Sequence, residues 1–141
     1  MQNQTQKFPI TWEQVHRDAL RLADKLKNIQ KFDTIIAVCR GGLVPASLVA
    51  RALDIRIVDT LCFETKNNEE ELIKTTSLAD KNLLIVDDIV NTGRTAKAVR
   101  RLFPNAHYAS LYVKDDYKEL VDTYITDVSQ DTWFIFPWEH E

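Results

Sequence analysis

A chain of 141 residues with 45% hydrophobic and 28% charged side chains suits one soluble domain built around one core. Its net charge of −3, with acids and bases interspersed, offers no polycationic surface for nucleic acid, and no stretch resembles a secretory leader or reaches membrane-spanning length. Cys39 and Cys62 are too few for a disulfide framework and lack metal-ligand spacing, so the composition favours a reduced, cytoplasmic protein over one with a single Cys39–Cys62 bridge.

Thr11 and Gln14 form a capping-box pattern, and Val15, Ala19, Leu22, Leu26 and Ile29 then recur at helical spacing through about residue 28. TIIAV at 34–38 predicts a buried strand, and CRGG predicts a loop. A helix is expected over 44–53, with Ala46, Val49, Ala50 and Leu53 on one face. IRIVDTLCF at 55–63 predicts a second strand. The acid-rich stretch 64–80 shows little core patterning and reads as a loop. NLLIV at 82–86 predicts a third strand, 95–103 a third helix, and HYASLYV (107–113) and TYITDV (123–128) later strands.

Strands alternating with helices imply an α/β fold whose parallel sheet is covered on both faces. Ligands of such sheets sit outside the carboxyl ends of the strands, so the loops after the first three strands surround a common cleft. All three glycines, Gly41, Gly42 and Gly93, fall in two of those loops. In a chain so poor in glycine, this concentration marks places where the backbone turns sharply or approaches a ligand.

The third of these loops carries the strongest chemistry. LLIV ends abruptly in Asp87-Asp88, and adjacent carboxylates at the mouth of a buried strand repel unless something compensates them. Sugar hydroxyls or a divalent cation would do so, and hard oxygen ligands suit magnesium held jointly with substrate phosphates. Thr92-Gly93-Arg94-Thr95 follows at the entry to a helix, where exposed N–H groups, the helix dipole and two hydroxyls make an anion site. The plainer alternative is a capped helix beside solvated acids; the combination of both features in one loop favours the site.

IVDDIVNTGRT resembles the ribose-phosphate-binding signature of the type I phosphoribosyltransferases. CRGGLVPASLVARALDIRIVDT resembles the pyrophosphate loop and following helix of the small bacterial xanthine-guanine phosphoribosyltransferases, and VDTYITDVSQDTWFIFPWE resembles their C-terminal strand and purine-binding tail. The similarity spans about residues 34–138.

It implies one domain over 1–141 with the type I phosphoribosyltransferase fold: a central, mostly parallel sheet flanked by helices, with a small hood formed largely by the C-terminal segment, 114–141. Residues 64–80 would be a mobile loop that closes over the reacting centre and excludes water. Asp87 and Asp88 would hold the ribose hydroxyls of phosphoribosyl pyrophosphate (PRPP) and its Mg2+. Thr92, Gly93, Arg94 and Thr95 would cradle the 5′-phosphate. Cys39, Arg40, Gly41 and Gly42 would bind the pyrophosphate leaving group over an irregular peptide bond. Lys114 would contact the 6-oxo group of a purine, Trp133 would stack on the base, and the Phe134 backbone would meet its edge. The implied activity is transfer of the phosphoribosyl group to guanine, xanthine or hypoxanthine in purine salvage, by a homodimer or homotetramer.

Three positions depart from that pattern. Asn91 stands where these enzymes usually carry an aspartate that serves as general base at purine N7; asparagine can hydrogen-bond N7 but cannot take its proton. Ile135 replaces an expected acid beside the purine's exocyclic group. Cys39 replaces a small polar residue or glycine, either as an inert buried thiol or as one activated by Arg40. A PRPP-binding regulator without efficient catalysis, or a phosphoribosyltransferase for another base, are the rival readings.

Overall fold

The computed structural model describes residues 6–76 and 82–139. In chain order the elements are β1 (Gln6–Pro9), α1 (Trp12–Lys27), β2 (Thr34–Cys39), α2 (Leu43–Leu53), β3 (Ile57–Lys66), β4 (Glu69–Lys74), β5 (Leu83–Val90), α3 (Arg94–Leu102), β6 (His107–Lys114), a 3-10 helix (Asp115–Leu120), β7 (Thr123–Val128) and β8 (Thr132–Ile135). The main sheet has six strands in the order β4-β3-β2-β5-β6-β7. Every neighbouring pair in it is parallel except β3 with β4.

The capping box forms as the sequence predicts: Gln14 N–H donates to Thr11 Oγ1 at 3.1 Å, and Thr11 N–H donates to Gln14 Oε1 at 2.8 Å. Val15, Ala19, Leu22 and Leu26 are buried along α1, whereas Ile29 lies beyond the helix end and is exposed.

Period-2 alternation in the central strands divides the core between two faces. Ile35, Ala37, Leu84 and Val86 join α1 and α2 on one side of the sheet. Ile36, Val38, Leu83 and Ile85 join Ala96 and Val99 of α3 on the other. Burying each large aliphatic side chain contributes about 1.5–3 kcal/mol, so the two layers clamp the sheet and fix the height of the strand ends above it.

Two expectations change. The stretch 64–80, read as a loop, begins as a β-hairpin: β3 and β4 pair antiparallel with Lys66 opposite Glu69. Asn67 and Asn68 form its two-residue turn with φ of 51° and 62°, the left-handed pair a tight hairpin requires. Most of this ribbon is exposed, which is why no hydrophobic period announced it. Residues 77–80 lie outside the described residues.

The second change concerns 114–141. Thr123–Val128 joins the main sheet as its edge strand instead of belonging to the hood. The hood is a separate two-stranded parallel pair, β1 with β8, in which Phe8 is in register with Phe134. The N-terminal strand therefore supplies half of it.

Candidate active site

The carboxyl ends of β2 and β5, the N-terminus of α3, the hairpin and the C-terminal tail surround a cleft of about 930 Å³. Of the residues singled out in the sequence, it brings together Cys39, Arg40, Gly41, Asp87, Asp88, Asn91, Thr92, Gly93, Thr95 and Trp133.

Asp87 and Asp88 end the apolar run of β5 and are only 7% and 8% exposed. Asp87 Oδ1 accepts from the Asp88 N–H at 2.8 Å, and its Oδ2 accepts from the Tyr108 hydroxyl at 3.1 Å. Asp88 Oδ1 accepts from the Ile89 N–H at 2.6 Å. Burial, and then the neighbouring Asp88 charge, push the Asp87 carboxyl well above its ordinary range. Burial likewise raises Asp88, with the Glu139 charge adding to it, against the hydrogen bonds it accepts. Both carboxyls thus lean toward their neutral form, a balance that hydrogen-bond donors or a cation would tip toward the charged form.

The glycines of the CRGG loop have steric reasons. A Cβ on Gly41 would lie 2.3 Å from Asp88 Oδ2, so the loop passes against that carboxylate. A Cβ on Gly42 would lie 2.4 Å from the Val86 carbonyl oxygen, where only backbone could yield. Gly42 itself sits beneath the cleft, outside its lining. The Cys39–Arg40 peptide bond is cis, matching the irregular bond expected there. Arg40 is exposed at the cleft wall.

Gly93 caps α3 with φ +77°, and a Cβ there would meet the Tyr117 ring at 2.7 Å. The first turn of a helix leaves its N–H groups without intrahelical partners. Here that turn opens onto the cleft beside Thr92 and Thr95, with the Arg94 N–H 3.4 Å from Thr92 Oγ1. The Arg94 side chain is exposed outside the lining, so the turn offers its backbone and hydroxyls to the cleft rather than the guanidinium.

Trp133, 48% exposed, presents its ring to the cleft from the hood. Phe134 turns the other way and packs on Tyr112, with ring centroids 4.7 Å apart. Phe136 and Trp138 stack at 4.9 Å and 4°, which anchors the tail.

Lys114 is placed differently from the sequence reading. It is buried, does not line the cleft, and donates from Nζ to the main-chain carbonyls of Gln130, at 3.1 Å, and Thr132. Burial lowers its pKa. In this arrangement it ties the end of β6 to the base of the Trp133 strand. Cys39 also resolves: burial, followed by its contact with Cys62, pushes its thiol up to about 11, the opposite of activation by Arg40.

Sequence reasoning missed Tyr108, Thr65, Glu70 and Glu139, all of which line the cleft. Thr65 Oγ1 donates to Glu70 Oε1 at 2.6 Å across the hairpin. Glu139 brings a carboxylate to the tail side, four residues beyond the isoleucine that replaces the expected acid. The acid following Pro137-Trp138 was its only signal.

A model of the phosphoribosyl transferase domain matches residues 11–141. The chain belongs to the phosphoribosyltransferase family. It is 47% identical over 139 residues to the xanthine-guanine phosphoribosyltransferase of Nitratidesulfovibrio vulgaris (strain DP4), a match covering 95% of this chain and 85% of the relative. The enzyme of that name from Desulfotalea psychrophila is 45% identical, over 95% and 87% of the two chains. Among solved structures, a purine phosphoribosyltransferase from Pyrococcus horikoshii superposes with a TM-score of 0.83 at 32% identity, covering 96% of this phosphoribosyltransferase and 95% of that chain. The xanthine-guanine-hypoxanthine phosphoribosyltransferase of Helicobacter pylori shares the fold, with a TM-score of 0.82 at 24% identity over 95% and 94% of the chains.

Proposed function

We propose that this phosphoribosyltransferase transfers the 5-phosphoribosyl group of PRPP to a 6-oxopurine, guanine, xanthine or hypoxanthine, releasing pyrophosphate in purine salvage. One observation carries the reading: the buried Asp87–Asp88 pair, the α3 turn and the Trp133 ring all face one cleft, so a sugar phosphate and a flat base meet in it. The names of the relatives in Nitratidesulfovibrio and Desulfotalea agree with it.

In this reading the Thr92–Thr95 turn receives the 5′-phosphate and the two aspartates receive the ribose hydroxyls. Displacement at the anomeric carbon passes through an oxocarbenium-like state while charge builds on the departing oxygens. Arg40 and the N–H groups beside it stand where that charge would be stabilised. Trp133 stacks on the base. Lys114 positions the Trp133 strand through its carbonyl contacts, and a movement of the tail would be needed for its ammonium to reach a purine oxygen.

The residues fit magnesium. The donors are hard carboxylate oxygens, and a cation beside them would offset the burial that raises the pKa of both. Among the described residues no group of three or more metal-binding side chains exists, as suits an ion held partly by substrate oxygens. When bound it would neutralise charge on the pyrophosphate.

The reading includes closure of the 64–80 segment over the cleft, toward which Thr65 and Glu70 already face. It also includes a homodimer or homotetramer, in keeping with exposed Ile57, Val58 and Ile73 on the outer strands. A cytoplasmic location agrees with the two free thiols and with the lack, among the described residues, of any helix long and apolar enough to cross a membrane.

The test is pyrophosphate release from PRPP and magnesium with guanine, xanthine, hypoxanthine, adenine, uracil and orotate. Release with 6-oxopurines alone is expected. PRPP binding with no release for any base would favour the second reading, a PRPP-binding regulator, for which Asn91 in place of a general base is the one supporting feature. Restoring the acid with Asn91→Asp should preserve or raise turnover, since general-base help contributes up to about 10²–10⁴-fold.

A further inference from the structure

Cys39 is the last residue of β2 and Cys62 lies in β3; the two are direct register partners in the parallel ladder. Register partners on adjacent parallel strands carry their side chains on the same face, with strands about 4.8 Å apart, which falls inside the Cα range a disulfide spans. The Cys62 thiol lies near enough to help raise the Cys39 pKa, after burial. Both are free and only partly buried, so a small oxidant can reach them. Local give exists on the β2 side, where the strand ends at Cys39.

We propose that Cys39 and Cys62 are a reversible disulfide site, closed by low-molecular-weight disulfides of the glutathione type, and that closure lowers PRPP turnover. The Cys62 thiol gives up its proton and its sulfur attacks one sulfur of the oxidant, breaking that S–S bond and releasing one small thiol. Cys39, giving up its proton, then attacks Cys62 in the mixed disulfide; the protein S–S bond forms and the second small thiol leaves. The protein loses two electrons and two protons, and the oxidant becomes two thiols. Cys39 is assigned the second step because burial holds it as the thiol.

The consequence follows from position. Cys39 lines the cleft and is bonded directly to Arg40, with Gly41 packed against the Asp88 carboxylate. Drawing Cys39 toward Cys62 shifts the start of that loop, and a displacement of about 1 Å at a reacting centre costs up to about 10²-fold in rate. Lys74 pins the far side of the pair, donating to Asp59 Oδ1 at 2.7 Å and to Thr60 Oγ1 at 2.8 Å. Movement therefore falls on the β2 end. The effect on turnover rests on the proposed activity; the bridge itself does not.

The experiment treats the full chain with glutathione disulfide, then follows mass, free-thiol count and pyrophosphate release before and after dithiothreitol. The expected result is loss of two hydrogen masses and two thiols, a Cys39–Cys62 peptide on mapping, and turnover reduced tenfold or more and restored by reductant, at the scale set by loop displacement. Cys62→Ser, at a residue outside the cleft lining, should keep basal turnover and resist inactivation. No intramolecular bridge in the folded protein would overturn the proposal. So would a bridged protein with full turnover, or equal inactivation of Cys62→Ser. A bridge that forms in a chain without transferase activity would separate the failure of the functional reading from that of the disulfide site.

Discussion

The floor of the cleft and its roof are built on opposite principles. The floor, β5 with the turn into α3, is the middle of a parallel sheet with helices on both faces, and its aspartates are held by neighbouring N–H groups and a buried phenol. The roof consists of a short two-stranded hood, an exposed tryptophan and an exposed hairpin. The packed part carries fixed charge, where placement decides the rate; the exposed part carries aromatic surface, where contact area decides affinity.

Breaking the floor should have the largest effect. Asp88→Ala removes a carboxylate packed against the Gly41 loop and should lower kcat by roughly 10²–10³-fold with the fold intact, as steady-state assays and circular dichroism would show. A loss below tenfold would remove the aspartates from the centre of the account. Trp133→Ala tests the roof. Stacking contributes about 1–3 kcal/mol per base, so the purine KM should rise roughly 5–150-fold while the PRPP KM holds. Equal changes in both would mean that the ring supports the cleft rather than the base.

Two smaller effects sharpen the contrast by separating stability from chemistry. Gly42→Ala forces a methyl against backbone carbonyls and should cost about 1–3 kcal/mol, read as a lower Tm; Gly41→Ala presses instead on Asp88 and should lower activity more than Tm. Asp87→Asn should do the reverse of Gly42→Ala. Because Asp87 has a raised folded pKa, the folded chain holds an extra proton between the ordinary carboxylate value and that raised value. Ligand-free stability therefore falls as pH rises through this window. The variant lacks the Asp87 slope, so its Tm advantage over the wild type should grow as pH rises above the ordinary carboxylate range. A constant or shrinking difference would show that the carboxylate is not held against burial.

The same division governed what could be read from the sequence. The run LLIV, the acid pair after it and the TG-x-T turn are local signals; α3 and β7 form where the pattern indicates, and β5 begins there but continues through Asp87 and Asp88 to Val90. The roof depends on distant pairings. Gln6 meets Thr132 across most of the chain, and neither four-residue strand has a local period of its own. The hairpin is exposed on both faces, so hydrophobic alternation could not mark it; only Asn67-Asn68, a pair able to take positive φ, carried a trace. Lys114, for which the resemblance implies contact with a purine 6-oxo group, lies outside the cleft lining. The carbonyls of Gln130 and Thr132 that hold it inward come from a turn whose position depends on the whole sheet.

The most direct test of this division is a crystal structure with guanosine 5′-monophosphate, whose phosphate, ribose and base span both regions. The account predicts the phosphate at the Thr92–Thr95 turn, the ribose hydroxyls on Asp87 and Asp88, and the base against Trp133. A phosphate bound elsewhere, or a base lying away from Trp133 with the ribose off the aspartates, would contradict it.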